Sequence, residues 1–123
     1  MLFRSVNAHG AASVVSDLAE ARAIARVFGE GSSSGVPVTA LKGYMGNIVS
    51  GCGAVELIAS LLGVNRGLIP SSLNCDHLDP ACGAIDLVTG SARATENPTF
   101  LNTNLTRHGQ AAAVIVRGNP GMI

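Results

Sequence analysis

Val38-Thr39-Ala40-Leu41-Lys42-Gly43-Tyr44-Met45-Gly46-Asn47 runs, after three residues, into Gly51-Cys52-Gly53-Ala54-Val55-Glu56. The β-branched residues within 36–41 predict a short strand. Asn47 has a side-chain acceptor suited to an N-cap, and the apolar residues after it predict a helix over 47–62. That helix carries a single charge, Glu56, and Gly51 and Gly53 remove side-chain bulk. A helix apolar on nearly every side is expected to be buried. A buried carboxylate without a partner is very costly, and Lys42, just before the helix, is the candidate cation. The stretch therefore reads as strand, cation-bearing glycine turn and central helix with one anion.

Upstream, a strand over 2–8 ends at Asn7-Ala8-His9-Gly10, with a histidine directly before a glycine turn. Asp17-Leu18-Ala19-Glu20 has the form of a capping box. Leu18, Ala21, Ala25 and Phe28 follow at helical spacing, with Ile24 and Val27 beside them. Gly29 is expected to end that helix, and 31–35 to form a flexible loop. Downstream, 65–83 reads as a loop with two prolines and 85–89 as a strand. Strands over 100–102 and 111–117 are joined by the polar connection 104–110. Strands and helices alternating in this order predict an α/β layer architecture.

Composition narrows the function classes. The chain of 123 residues has a formal net charge of zero and only 13% charged residues, so no charge excess draws it to nucleic acid or an anionic membrane. Aromatic residues are 3% and Trp is absent, which leaves no stacking platform for bases. Residues 1–4 lack the apolar core of an export signal, and Glu56 interrupts the one apolar run approaching a membrane span. Three cysteines, Cys52, Cys75 and Cys82, are an odd number at unremarkable spacing and point to a reducing cytoplasm. Cys75, His77, Asp79 and Cys82 do not have the spacing of a zinc finger, and no metal is expected there.

Taken in order, Asn7-Ala8-His9-Gly10, Asp17, Glu20, Val38 to Lys42, Gly53-Ala54-Val55-Glu56, Gly67-Leu68-Ile69-Pro70, the 74–82 loop and the last two strands resemble the C-terminal part of a β-ketoacyl-acyl-carrier-protein synthase. Each motif is weak alone, and the ordered series is specific. The resemblance implies part of a thiolase-like layered αβαβα fold, with a mixed sheet and one buried helix. It also implies a parent enzyme that performs decarboxylative condensation of acyl thioesters in fatty-acid or polyketide synthesis. Acyl carrier protein would be its partner and a homodimer its assembly. Its substrates ride on the carrier's phosphopantetheine arm, and no further cofactor is implied. The family's nucleophilic cysteine belongs to the first half of the fold, and no cysteine here matches it. The single partial domain 1–123 is therefore expected to be inactive alone.

Residue by residue, the resemblance gives His9 the role of assisting decarboxylation, for which imidazole is suited. Without it, His9 reads as a residue supporting a turn. Lys42 matches the family's active-site lysine and Glu56 its buried carboxylate partner. Asn47 stands where the family has a second histidine. An asparagine can still donate a hydrogen bond to an oxyanion but cannot take up a proton. Otherwise it is only a helix cap. His108, in Leu105-Thr106-Arg107-His108-Gly109, replaces a small residue of the family's gating loop and is either a returned imidazole or a surface residue. Ala11 and Ser13 replace two threonines that contact the phosphopantetheine arm, and Ser13 keeps a hydroxyl. Two alternatives stand beside the enzyme: a non-catalytic thiolase-fold partner subunit resembling a chain-length factor, and an association module whose apolar helix is covered by another chain.

Overall fold

The computed structural model describes residues 3–28 and 35–121. Strand β1 (Ser5–Asn7) leads to helix α1 (Val14–Phe28), strand β2 (Pro37–Thr39) and the one-turn helix α2 (Lys42–Met45). A 3-10 turn over Val49–Gly51 enters helix α3 (Cys52–Asn65). Strands β3 (Leu68–Ile69), β4 (Asp86–Leu87), β5 (Arg93–Ala94), β6 (Thr99–Leu105) and β7 (Ala111–Arg117) follow, with a second 3-10 turn at Pro80–Cys82. Five strands form one sheet in the order β4-β2-β1-β6-β7, and β3 pairs with β5 in a small separate ribbon. The β1–β2, β1–β6 and β2–β4 pairs are parallel, whereas β6 and β7 form an antiparallel hairpin. The sheet is therefore mixed, as expected.

Register sorts the side chains into two layers. Val6 pairs with Val38 and Leu101, and these residues join Phe3, Ala8, Ile24 and Val36 in the apolar core under α1. Phe3 meets Phe28 edge to face at 5.4 Å, which fixes the end of α1 on the sheet. One residue along, Asn7 pairs with Thr39 and Asn102, and a period of two puts all three on the opposite face. That second face is polar although fully buried, with Asn7, Thr39 and Asn102 each under 5% exposed. Asn7 Nδ2 donates to Asn102 Oδ1 at 2.6 Å across the strands.

Helix α3 departs from its expected form at its start. It begins at Cys52, five residues after Asn47, and runs to Asn65. Asn47 instead folds onto its own chain, its Oδ1 accepting the Val49 N–H at 2.9 Å. The helix is also covered on one side only. Its buried stripe is Cys52, Glu56, Ser60 and Val64, at a spacing of four. Its apolar residues Val55, Ile58 and Leu62 are 41%, 54% and 42% exposed. The helix thus turns Glu56 and Ser60 inward and leaves Val55, Ile58 and Leu62 facing outward. The outer strand β7 is similarly open, with Val114 and Ile115 about half exposed.

Smaller corrections concern α1 and the loops. Helix α1 starts at Val14, so Asp17 lies in its first turn and is not its N-cap. The Ser13 carbonyl takes the first helical hydrogen bond, from Asp17 N–H at 2.9 Å. The expected end at Gly29 and most of the loop over 31–35 lie outside the described residues. The segment read as a loop over 65–83 contains β3 and the Pro80–Cys82 turn, and β5 was not foreseen. The two-residue strands β3 and β5 are too short to carry a periodic signal.

Candidate active site

Parallel strands β1 and β2 end side by side, and each releases a loop at the same edge of the sheet. The β1 loop carries His9 and the β2 loop carries Lys42. The loops are held close by Ala8 N–H, which donates to Thr39 O at 2.8 Å. Gly10 is required at the contact: its φ is +46°, and a Cβ there would lie 2.7 Å from Ala40 Cβ. Ala40 N–H in turn donates to Ser72 Oγ at 3.0 Å, and Tyr44 Oη lies 3.0 Å from Ser71 Oγ. The segment after β3 thus pins the chain on both sides of Lys42.

Lys42 is buried, and its ammonium has three acceptors. It donates to Glu56 Oε1 at 2.7 Å, donates to the His9 carbonyl oxygen, and lies 3.3 Å from His9 Nδ1. An ammonium has three protons and no lone pair, so these partners account for all of its donors. With Lys42 donating, Nδ1 of His9 is the acceptor, which leaves the ring proton on Nε2. Lys42 therefore selects the tautomer in which His9 presents an N–H outward from the pair. Glu56 is fully buried, and burial pushes its carboxyl above the ordinary 4.5, with Lys42 offsetting part of the rise. Its second oxygen, Oε2, has no protein hydrogen-bond partner among the described residues.

The His9 turn is held by carboxylates that were read as a capping box. Glu20 Oε1 accepts the His9 N–H at 2.8 Å, and Oε2 accepts the Gly10 N–H at 2.9 Å. Asp17 Oδ1 accepts the Ala11 N–H at 2.9 Å. Three successive backbone donors of the turn are thus satisfied from one helix. Thr103 on β6 adds a bridge, donating from Oγ1 to Asn7 O at 3.2 Å or to Glu20 Oε1 at 3.1 Å. The capping logic applied, but to donors in the loop before the helix. Spacing alone did not reveal this, because the loop bends back over α1.

The remaining predicted residues share no hydrogen bond or ion pair with this trio. Asn47 is exposed, and its Oδ1 is occupied by Val49 N–H and, at 3.4 Å, by the Cys52 thiol. Its amide N–H groups remain free to donate. His108 is exposed in the β6–β7 turn and shares no hydrogen bond or ion pair with His9, Lys42 or Glu56. Ser13 is exposed at the start of α1. Among the described residues, no group of three His, Cys, Asp or Glu converges to hold a metal ion. Burial and the nearby Asp79 carboxylate push the Cys82 thiol up, away from thiolate. Among the described residues, no helix is long and apolar enough to cross a membrane.

A family model described as "Beta-ketoacyl synthase, C-terminal domain" matches residues 3–76, which include His9, Lys42 and Glu56. The chain belongs to the β-ketoacyl synthase family. The mitochondrial 3-oxoacyl-[acyl-carrier-protein] synthase of Arabidopsis thaliana is 41% identical over 76 residues, covering 61% of this chain and 16% of that protein. Among solved structures, a β-ketoacyl synthase from Burkholderia phymatum superposes with a TM-score of 0.88 at 33% identity, covering 96% of this chain and 28% of that one. The ishigamide ketosynthase/chain length factor gives a TM-score of 0.86 at 25% identity, with the same coverage. These structural matches extend past residue 76 and take in the β6–β7 hairpin. The thiolase-like ketosynthase fold is thus shown for the whole described chain, which spans about a quarter of the length of these solved relatives.

Proposed function

We propose that this chain supplies the decarboxylation side of the active site of a 3-oxoacyl-[acyl-carrier-protein] synthase. The single observation that carries this reading is the Lys42 ammonium, fully engaged by Glu56 and His9, which leaves the His9 Nε2–H as an outward donor. Loss of carbon dioxide from a malonyl thioester breaks a C–C bond and leaves its electron pair as an enolate. The negative charge gathers on the thioester oxygen. A preformed N–H at that oxygen stabilises the charge as it develops. The carbanion then attacks an acyl thioester and displaces the enzyme thiolate, forming the new C–C bond. That thiolate belongs to the family's nucleophilic cysteine, and Cys52 is too deeply buried to serve.

The free amide donors of Asn47 are suited to a second carbonyl, and His108 would add an imidazole to the same site. Acyl carrier protein as partner, Ser13 as a contact to the phosphopantetheine arm, a homodimeric parent and a cytoplasmic setting belong to the same proposal. So does an N-terminal half that brings the nucleophile and covers the outer face of α3. The test is malonyl-carrier decarboxylation and condensation by a chain joining this region to a ketosynthase N-terminal half. His9→Ala should reduce decarboxylation by at least about a hundredfold, the scale of a general acid–base or donor group. Undiminished turnover in that variant would refute the role. The isolated 123-residue chain should show no condensation.

A second reading is supported by Asn47, which cannot take up a proton, and by the likeness to a ketosynthase/chain length factor. Here the region belongs to a non-catalytic partner subunit. The coding sequence upstream of Met1 separates the two: a cysteine at a strand-to-helix elbow supports the enzyme, and another residue there supports the partner subunit.

A further inference from the structure

At the opposite end of the sheet from His9 and Lys42, where β1, β2 and β6 begin, a cleft of about 750 Å³ is lined by three of the chain's basic side chains, Arg4, Arg93 and Arg117. Its one acidic lining residue is Glu96. The arginines arrive there by register. Arg4 N–H donates to Thr99 O at 3.0 Å, and Thr99 pairs with Arg117 across the hairpin. Arg4 and Arg117 therefore sit at one level on either side of β6, about 10 Å apart at the backbone. Arg93 is fixed differently. It makes a bidentate pair with Asp86, at 2.5 and 2.9 Å, which neutralises it and holds it rigid at the cleft wall. The guanidinium groups of Arg4 and Arg117 have no hydrogen-bond or ion-pair partner among the described residues.

We infer that this cleft is a binding site for a small molecule bearing two or more phosphate oxyanions, held between Arg4 and Arg117. Unpaired guanidinium forks match phosphate oxygens bidentately. The volume lies in the range of small-molecule sites. Partly buried Asn97 and Thr95 also line the cleft, with Ile69 as an apolar lining residue. The site is separate from the condensing site, because β1 carries Arg4 before its first residue and His9 after its last.

The test is equilibrium dialysis of the 123-residue chain against inorganic pyrophosphate and, in a second arm, ADP. Dialysis reads binding in monomers and oligomers alike. Saturable binding below about 1 mM is expected, and it should weaken as salt rises. Arg4→Gln with Arg117→Gln should weaken it at least about tenfold, while Arg4→Lys with Arg117→Lys should keep part of it. Tighter ADP than pyrophosphate would assign a nucleotide, and the reverse a simple polyphosphate. Absence of saturable binding by either probe, or binding unchanged in the double Gln variant with its circular dichroism intact, overturns the inference. The cleft and the Lys42–Glu56 pair lie at opposite ends of the sheet, so this result and the condensing role stand or fall separately.

Discussion

Lys42 Nζ and Glu56 Oε1 lie 2.7 Å apart with both side chains almost wholly removed from solvent. The pair joins the turn after β2 to the middle of α3 and so ties the reactive edge of the sheet to the helix beneath it. Removing Lys42 would leave Glu56 charged in the interior. Lys42→Met should destabilise the fold by about 3–5 kcal/mol at neutral pH, and Lys42→Met with Glu56→Leu should recover most of that loss. Denaturant unfolding of the two variants measures both values. Equal stability of the single and double variants would contradict a coupled pair.

The same carboxylate sets a pH dependence. Burial raises the Glu56 pKa above 4.5, so the folded chain holds this proton more tightly than the unfolded chain does. The stabilising contribution of that difference is therefore full below 4.5 and is lost as pH rises through the folded-state pKa. Unfolding free energy measured from about pH 4 to pH 8 should carry this downward component in the native sequence and lack it in Glu56→Gln. Parallel curves for the two proteins would show that Glu56 has no raised pKa.

Glu20 acts on His9 through the backbone and is a positioning residue. Its two oxygens accept the His9 and Gly10 N–H groups. Glu20→Ala should cost about 2 kcal/mol by leaving two partly buried donors unpaired. Amide exchange at His9 and Gly10 should accelerate more than exchange in the β6–β7 hairpin. Glu20→Gln keeps one acceptor oxygen and should restore protection at one of the two amides. Uniform acceleration across the chain would indicate global destabilisation only.

Much of the sheet was legible because its strands carry β-branched residues between glycine and proline breaks. The Lys42–Glu56 pair was legible from a single argument, that a lone carboxylate on an apolar helix needs a cation. Glu20 was misread because side-chain to loop hydrogen bonds depend on how the 9–13 segment folds back, which spacing does not encode. The exposed side of α3 fits the association reading, in which another chain covers this apolar helix. An aliphatic face signals that something covers it, but not whether the cover lies in the same chain.

That open face has a physical consequence. Ile58 and Leu62, one turn apart, present large side chains to water at 54% and 42% exposure, and Val55 extends the stripe. Contiguous apolar surface of this kind favours association. The isolated chain should sediment as oligomers at micromolar concentration, and Ile58→Lys with Leu62→Lys should shift it toward monomer without loss of helix content. A native chain that sediments as a monomer would show that the face is tolerated in water.

The approach to α3 stores backbone strain next to Asn47. Val49 adopts φ +60°, a left-handed conformation that β-branched residues rarely enter, and its side chain is 80% exposed. The left-handed conformation costs a non-glycine residue about 1–2 kcal/mol. Glycine relieves that penalty but loses about 0.5–1 kcal/mol more conformational entropy on folding. Little buried surface is at stake, so Val49→Gly should be net stabilising by about 0.5–1 kcal/mol, read as a higher midpoint in denaturant at unchanged slope. Val49→Ala keeps the Cβ that causes the strain and should gain far less. If both variants were destabilised alike, packing of the Val49 side chain would outweigh the backbone strain. If Val49→Gly alone were stabilised, the turn that aims the Asn47 amide would be shown to hold its shape against an intrinsic backbone preference. Strain of that kind is characteristic of positions held for geometry.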